Sequence, residues 1–390
     1  MGTAMVIGVD AGATTTRCVI TTIDGTVVGR GTAGGANRNS SGGAVSTILT
    51  TAITEALDSV GSPGPRWSPG SLESPRRPGL LDRGAIVAGV LGAAGSSGAG
   101  RAAFREAAET AWRAAGLTGR LTTVTDLEVA FAAGTPEPNG VLLLSGTGAL
   151  AARFSDGVLE RRCDGYGWLL GDEGSAVWIA VRALRAALAA LDGRGEPTSL
   201  VEAAAEHFLS KSAGYAATTS GGGFAPVPGD SVAAACDGVR EPTPGGRREG
   251  ADGTASAIPE KGAAREETAQ ALIAATFAVP PAELGRFAPA VSAAAERDDA
   301  VAARICAAAT GRLLHTFDSA GPPPGAVVVL AGSVLLNPGP VARQVRAGLL
   351  ARTGAEPRQA RDGAAGAAAL ALSWITGAPV SPVIHTRLTG

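Results

Sequence analysis

Short apolar runs bounded by glycine turns recur along the chain. Val6–Val9, Arg17–Thr22 and Thr26–Gly31 predict three strands, the last two joined by the hairpin signal Asp24-Gly25. Apolar positions at helical spacing predict a helix over Ala44–Val60, a buried strand at Ile86–Leu91, a helix over Gly100–Ala115 and a strand at Leu121–Val124 that runs into Asp126. The order then repeats. A strand at Val141–Leu144 meets a glycine turn, Ala151–Phe154 and Val158–Arg162 flank Asp156-Gly157, and a helix spans Ser175–Leu191. Later, Ala326–Leu330 is a strand ending at Gly332-Ser333. Two halves with the same opening predict a duplicated α/β unit, with domains at 1–135 and 136–390. Gly61–Pro78 reads as an exposed loop. Ser210–Thr268, rich in Gly, Ser, Pro and charge, reads as a largely disordered insertion remote from chemistry.

Composition narrows the function classes. A formal charge of -2 with 45% hydrophobic residues describes a globular protein without the basic surplus of a nucleic-acid binder. No run approaches a membrane span, and Asp10 interrupts the first apolar stretch, so no signal peptide is expected. Cys18, Cys163, Cys236 and Cys306 are far apart, as are His207, His315 and His385, so reduced thiols in a cytoplasmic protein are expected and a structural zinc is not. Of 33 basic residues only Lys211 and Lys261 are lysines. Neither lies in a P-loop or in a kinase-type strand context. Any phosphate chemistry must therefore use loop amides, hydroxyls and carboxylate-held magnesium.

Three segments carry that chemistry. In Val6–Thr16 (VIGVDAGATTT), Gly12 lets the backbone approach an anion, Thr14 and Thr15 offer hydroxyls, and Asp10 is placed to hold Mg²⁺. An ordinary hairpin turn is the alternative. Ser145-Gly146-Thr147-Gly148 has the same design. Gly146–Ala151 also fits a dinucleotide fingerprint, but a hairpin pattern follows it where that site needs a helix, and Gly29–Gly34 fails likewise. Asp126, just past a strand end, suits a general base or a helix cap. In Gly165–Ser175 (GYGWLLGDEGS), Asp172 suits a polar ligand or a cap, and Trp168 reads as core in preference to a sugar-stacking face. Asn37 follows a flexible Gly34-Gly35-Ala36.

Together these motifs resemble the BadF/BadG/BcrA/BcrD-type ATPase family, and within it the N-acetylglucosamine kinases, of the sugar kinase–actin–heat-shock chaperone superfamily. GVDAGATTT, GGAN at 34–37, GVLGAAG at 89–95, VTD at 124–126, LLLSGTG at 142–148, GYGWLLGDEGS, LAGSV at 330–334 and GAAALAL at 366–372 carry the resemblance. It implies a duplicated RNase H-like fold of the actin/hexokinase type, two domains with a central nucleotide cleft. It further implies ATP with Mg²⁺ at Asp10, and phosphates held by Gly12, Thr14, Thr15, Gly146, Thr147 and Gly148. Gly332 and Ser333 would line the adenosine pocket. Asp126 would be the base on a sugar 6-hydroxyl, with Asn37, Ser145 and Asp172 binding the sugar. The expected partner is a small-molecule aminosugar, with self-association into a homodimer. N-acetylglucosamine is the leading substrate, glucosamine the alternative. A dehydratase activator with a cysteine-held iron–sulfur cluster and a sugar sensor are the rivals. Ala149 stands where the family commonly has serine, Arg38-Asn39 follow Asn37 where the animal kinases have an aromatic, and ERDD at 296–299 lacks the family's glycine before Asp.

Overall fold

The computed structural model describes residues 3–12, 14–36, 44–60, 82–93, 100–215 and 258–390. In the first half β1 (Met5–Ala11), β2 (Thr15–Thr22) and β3 (Val27–Gly34) form an antiparallel meander, to which β4 (Ile86–Ala93) and β5 (Arg120–Thr125) add in parallel. The strand order is β3-β2-β1-β4-β5. In the second half β6 (Gly140–Ser145), β7 (Ala149–Ser155) and β8 (Val158–Asp164) form the meander, and β9 (Val328–Ala331) and β10 (Arg358–Gln359) are the parallel additions. The order β10-β9-β6-β7-β8 is the first sheet's order read from the other edge, so the duplication is topological.

Helices α1 (Val45–Ser59), α2 (Arg101–Ala114) and α3 (Asp126–Gly134) belong to the first half of the chain. They are followed by α4 (Ala176–Leu191), α5 (Leu200–Tyr215), α6 (Ile258–Phe277), α7 (Pro281–Leu284), α8 (Ala288–Glu296), α9 (Ala300–Ser319) and α10 (Ser333–Leu336). The last three are α11 (Pro340–Thr353), α12 (Gly363–Thr376) and α13 (Pro382–Thr389). Central strands buried on both faces need helices on both sides, which is why β1 and β6 read as nearly continuous apolar runs. One face of the first sheet packs Ile7, Val9 and Leu91 against Leu49 and Ile53 of α1 and Trp112 of α2. Its other face packs Val6, Val19 and Val90 against the alanines of α12. The second sheet packs Leu142, Phe154 and Val329 on Leu127 and Phe131 of α3. Its opposite face lies on α4, α9 and α11. Thus α3 and α12 form the middle layer between the sheets.

That layer explains the composition of α12. At Gly366 an added Cβ would lie 2.5 Å from the Val129 carbonyl oxygen and 2.6 Å from the Ala133 nitrogen. At Gly8 it would collide with the backbone at Ala364 and Ala368. Small residues let strand and helices approach this closely. Although α12 and α13 lie within 136–390, they pack on the first sheet: Ile384 and Leu388 cover Gly25, and the Arg387 Nη1 donates to Asp24 at 2.9 Å.

The expected strands and helices occur within a few residues of their anticipated limits. The segment 210–268 departs from expectation at its edges. α5 continues to Tyr215 and α6 begins at Ile258, and the two helices pack together. Residues 216–257 and the loop at 61–78 lie outside the described residues. Among the described residues no helix is long and apolar enough to cross a membrane, and Cys18, Cys163 and Cys306 are unpaired thiols.

Candidate active site

Parallel strands deliver their C-terminal ends to one edge of a sheet, and α/β sheets use that edge for ligands. Asp10 is the penultimate residue of β1, and Asp126 directly follows β5. The Asp126 carboxylate is not the cap of α3. Thr125 is the cap: its hydroxyl accepts from the Glu128 amide at 3.4 Å, and Glu128 Oε2 accepts from the Thr125 amide at 2.7 Å. Asp126 therefore occupies the first helical position, with the amides of Asp126 and Leu127 donating toward its carboxylate.

The Asp10 carboxyl senses the charge of Asp126. Burial and then the charge of Asp126 push the Asp10 carboxyl up to about 6, opposed by Arg17, its neighbour across the β1–β2 ladder. Burial also raises Asp126; its own and Leu127's amides and the Arg162 charge oppose the rise. The N-terminus of α12 closes on Asp10 so tightly that a Cβ at Gly363 would collide with the carboxylate. Asp362 caps that helix by accepting from the Ala364 amide at 3.0 Å and pairs with Arg30 at 2.8 Å. In the adjoining turn, Gly12 donates to the Thr15 carbonyl at 3.0 Å and accepts from Ala36 at 3.1 Å, while Thr14 and Thr15 are exposed. Asn37 lies outside the described residues.

The second cluster is built from β6 onward. The loop after β6 is closed by a 2.9 Å bond from the Gly146 amide to the Gly148 carbonyl, leaving Thr147 exposed. Gly332, with φ of 86°, rests on the Ser145–Gly146 peptide so closely that any side chain would collide there. Ser333 follows it, exposed, at the start of α10. Ser145 is fully buried, and its hydroxyl donates to the Gly174 carbonyl at 2.9 Å. Its hydroxyl thus fastens the two loops of this cluster to each other.

Asp172 performs a similar tie: its Oδ1 accepts from the Ala149 amide at 3.3 Å, and its carboxylate lies against Gly148. Burial raises its carboxyl. It is not a cap, since Ser175 caps α4 by accepting from the Trp178 amide at 3.1 Å, and Glu173 pairs with Arg312 at 3.2 Å. Trp168 is not core. It is 48% exposed, and with Tyr166, Leu169 and Leu170 it forms an apolar rim beside Asp172. The turn holding this rim carries glycines at positive φ, so the backbone turns out from the sheet before any large side chain finds a core.

Sequence reasoning missed Asp164, at the end of β8. Its carboxylate accepts from the amides of Gly165 at 2.8 Å, Asp172 at 2.7 Å and Glu173 at 2.8 Å, and its φ is 65°. An Asp directly before Gly-x-Gly is the turn chemistry that points to this role. Arg162, Asp362 and the Thr125–Glu128 cap were likewise not singled out, although Thr-x-x-Glu is a recognisable signature.

Among the described residues no group of three His, Cys, Asp or Glu side chains forms a metal cage. A magnesium ion normally keeps several waters and needs few protein ligands. The Asp10–Asp126 edge, where two partly buried carboxylates oppose one another, suits such a cation.

The paired sheets and the glycine loops between them define a duplicated RNase H-like fold of the actin/hexokinase type. The chain belongs to the BadF/BadG/BcrA/BcrD ATPase family, whose profile it matches over residues 7–371. A relative from Clostridium acetobutylicum, named N-acetylmuramic acid/N-acetylglucosamine kinase, is 33% identical over 196 residues. Those residues are 50% of this chain and 57% of the relative, so the match spans little more than half of that protein. The fold is shared with a solved structure from Chromobacterium violaceum provisionally named N-acetylglucosamine kinase. It has a TM-score of 0.61 and 22% identity, covering 94% of this chain and 98% of that one.

Proposed function

We propose that this chain is an ATP-dependent aminosugar kinase that phosphorylates the 6-hydroxyl of N-acetylglucosamine. The observation that carries the reading is the position of Asp126: first residue of α3, relieved of capping by Thr125, and electrostatically opposed to Asp10 at the same sheet edge. Family membership and the name of the Clostridium relative support it.

In this reading Asp126 takes the proton of the sugar hydroxyl while that oxygen attacks the γ-phosphorus. The bond to the bridging oxygen breaks on the far side, and ADP leaves. A carboxyl raised by burial is a stronger base than an exposed one once it is ionised. Gly12, Thr14, Thr15, Gly146, Thr147 and Gly148 receive the phosphates, and Gly332 with Ser333 borders the adenosine. Asp10 holds Mg²⁺, which supplies charge neutralisation when bound. Asn37 and the Asp172 carboxylate bind the sugar. Ser145, first read as a sugar ligand, serves here by holding the Gly174 turn. The unpaired, widely spaced thiols agree with a cytoplasmic setting.

A coupled ADP-release assay tests the proposal with ATP·Mg²⁺ against N-acetylglucosamine, glucosamine, N-acetylmuramic acid and glucose. Sugar-stimulated release with N-acetylglucosamine is expected, and preference for glucosamine would move the substrate assignment to the free amine. Asp126→Asn should lower kcat by at least about 100-fold while leaving nucleotide affinity within a few-fold. Equal loss of both would overturn the role given to Asp126. Sedimentation of the same preparation checks the expected homodimer.

A further inference from the structure

Phosphoryl transfer spreads negative charge over the equatorial oxygens of the moving group, and enzymes meet it with positive charge or oriented donors. This chain has only two lysines, Lys211 and Lys261, so arginine is the natural source of that charge. Among the described residues, the cations acting on Asp10, Asp126 and Asp172 are Arg17 and Arg162. Arg17 lines a cavity of about 560 Å³ with Arg30 and Arg361 on the α12 side of the first sheet. Its side chain is therefore turned toward that arginine cluster.

Arg162 is differently placed. It lies on β8 opposite Ala152, two residues before the loop-holding Asp164. Its guanidinium sits 5.8 Å from the centre of the Tyr166 ring, and its Nη2 donates to the Gly165 carbonyl at 3.3 Å. No ion pair occupies it among the described residues, whereas Arg153 pairs with Glu160, Arg312 with Glu173 and Arg343 with Glu296. Its charge acts on two carboxylates of the candidate site, Asp126 at the start of α3 and Asp172 in the turn after β8. A guanidinium left without an ion pair on the turn that carries Asp172, with donors to spare, is suited to an anion arriving from outside.

We propose that Arg162 is a catalytic residue, the guanidinium that meets the phosphoryl group as it passes from ATP to the sugar hydroxyl. The bond that forms is sugar oxygen to γ-phosphorus, the bond that breaks is γ-phosphorus to the ADP oxygen, and the hydroxyl proton goes to Asp126. Arg162 gains and loses no proton; it donates hydrogen bonds to the equatorial oxygens. This inference rests on the sugar-kinase reading above.

The test is steady-state kinetics of the whole chain with Arg162→Ala and Arg162→Lys. Because Arg162 is exposed, both variants should melt within a few degrees of the wild type. Arg162→Ala should lower kcat by about 100-fold or more with KM for ATP and sugar changed only a few-fold. Arg162→Lys should recover part of the loss, and millimolar guanidinium should restore part of the Ala variant's activity. A residue acting only through Asp126 would instead shift the acid limb of the kcat–pH profile, and its defect would vanish at high pH. That result, or full activity of Arg162→Ala, overturns the assignment while the wild-type assay upholds the kinase. Absence of sugar-stimulated ADP release in the wild type overturns the kinase reading, and this inference with it.

Discussion

Asp10 is where this site stores cost. A carboxyl raised to about 6 from 3.8 binds a proton more readily folded than unfolded between those values. The unfolded chain then carries fewer protons, so stability falls as pH rises through that window. Above about pH 6 the ionised Asp10 costs up to about 3 kcal/mol, from 1.36 kcal/mol per pKa unit. In metal-free buffer, Asp10→Asn should therefore be more stable than the wild type at pH 7.5. The advantage should disappear near pH 4, where both side chains are neutral. The same variant should lose sugar-stimulated ADP release. Denaturant melts at the two pH values check the first expectation; an Asn variant less stable at pH 7.5 would show that the burial of Asp10 is already compensated.

At the scale of elements, the strands around the two glycine loops were legible because buried parallel strands and hairpin turns both leave strong patterns. The Ser145–Gly148 loop and the Asp126 strand end could be placed from sequence for that reason. The cap of α3 was ambiguous because Thr125 and Asp126 are both good capping residues, and only backbone geometry decides between them. Trp168 was misread because a large aromatic usually finds a core, and no local pattern records that Gly165, Gly167 and Gly174 turn the chain outward. Asp164 was missed since its role lies in three backbone amides up to nine residues ahead. Those bonds make a specific demand. Asp164→Ala frees all three amides and puts a methyl side chain at positive φ, whereas Asp164→Asn keeps an acceptor and tolerates that backbone. Asp164→Ala should raise the KM for sugar at least about tenfold and lower the melting point, at roughly 1–3 kcal/mol for unsatisfied polar groups. Asp164→Asn should sit between it and the wild type. Equal behaviour of the two variants would mean the loop is held by Ser145 and Asp172 alone.

For the whole molecule, the decisive feature is the middle layer. α3 and α12 both start at the candidate site, at Asp126 and beside Asp10, and both end at a cavity of about 560 Å³. That cavity contains none of the site residues. Arg120 and Val124 of β5 with Trp374 of α12 wall it on one side, and Phe154, Asp156 and Val158 of the β7–β8 hairpin on the other. Site and cavity thus occupy opposite ends of one helix pair that is too closely packed at Gly366 to slide freely. The site's groups are also divided: Asp10 and Asp126 come with the first sheet, while the Gly146–Gly148 loop, Arg162 and Asp172 come with the second. Arg162 forms no ion pair with Asp126 in this structure, and joining them around a substrate is expected to bring the halves together. A lever of this kind closes at one end and opens at the other. Small-angle scattering should therefore show the radius of gyration falling when a non-hydrolysable ATP analogue and the sugar are both present, and less with either alone. Trp374, 40% exposed in the cavity wall, should report the same event as a change in emission that Trp374→Phe diminishes. Because Trp374 is remote from the chemistry, that variant should keep kcat within about twofold, a change worth less than 1 kcal/mol. Unchanged scattering in the ternary mixture would mean that the cleft is already closed, and that Arg162 reaches the phosphoryl group by side-chain rotation alone.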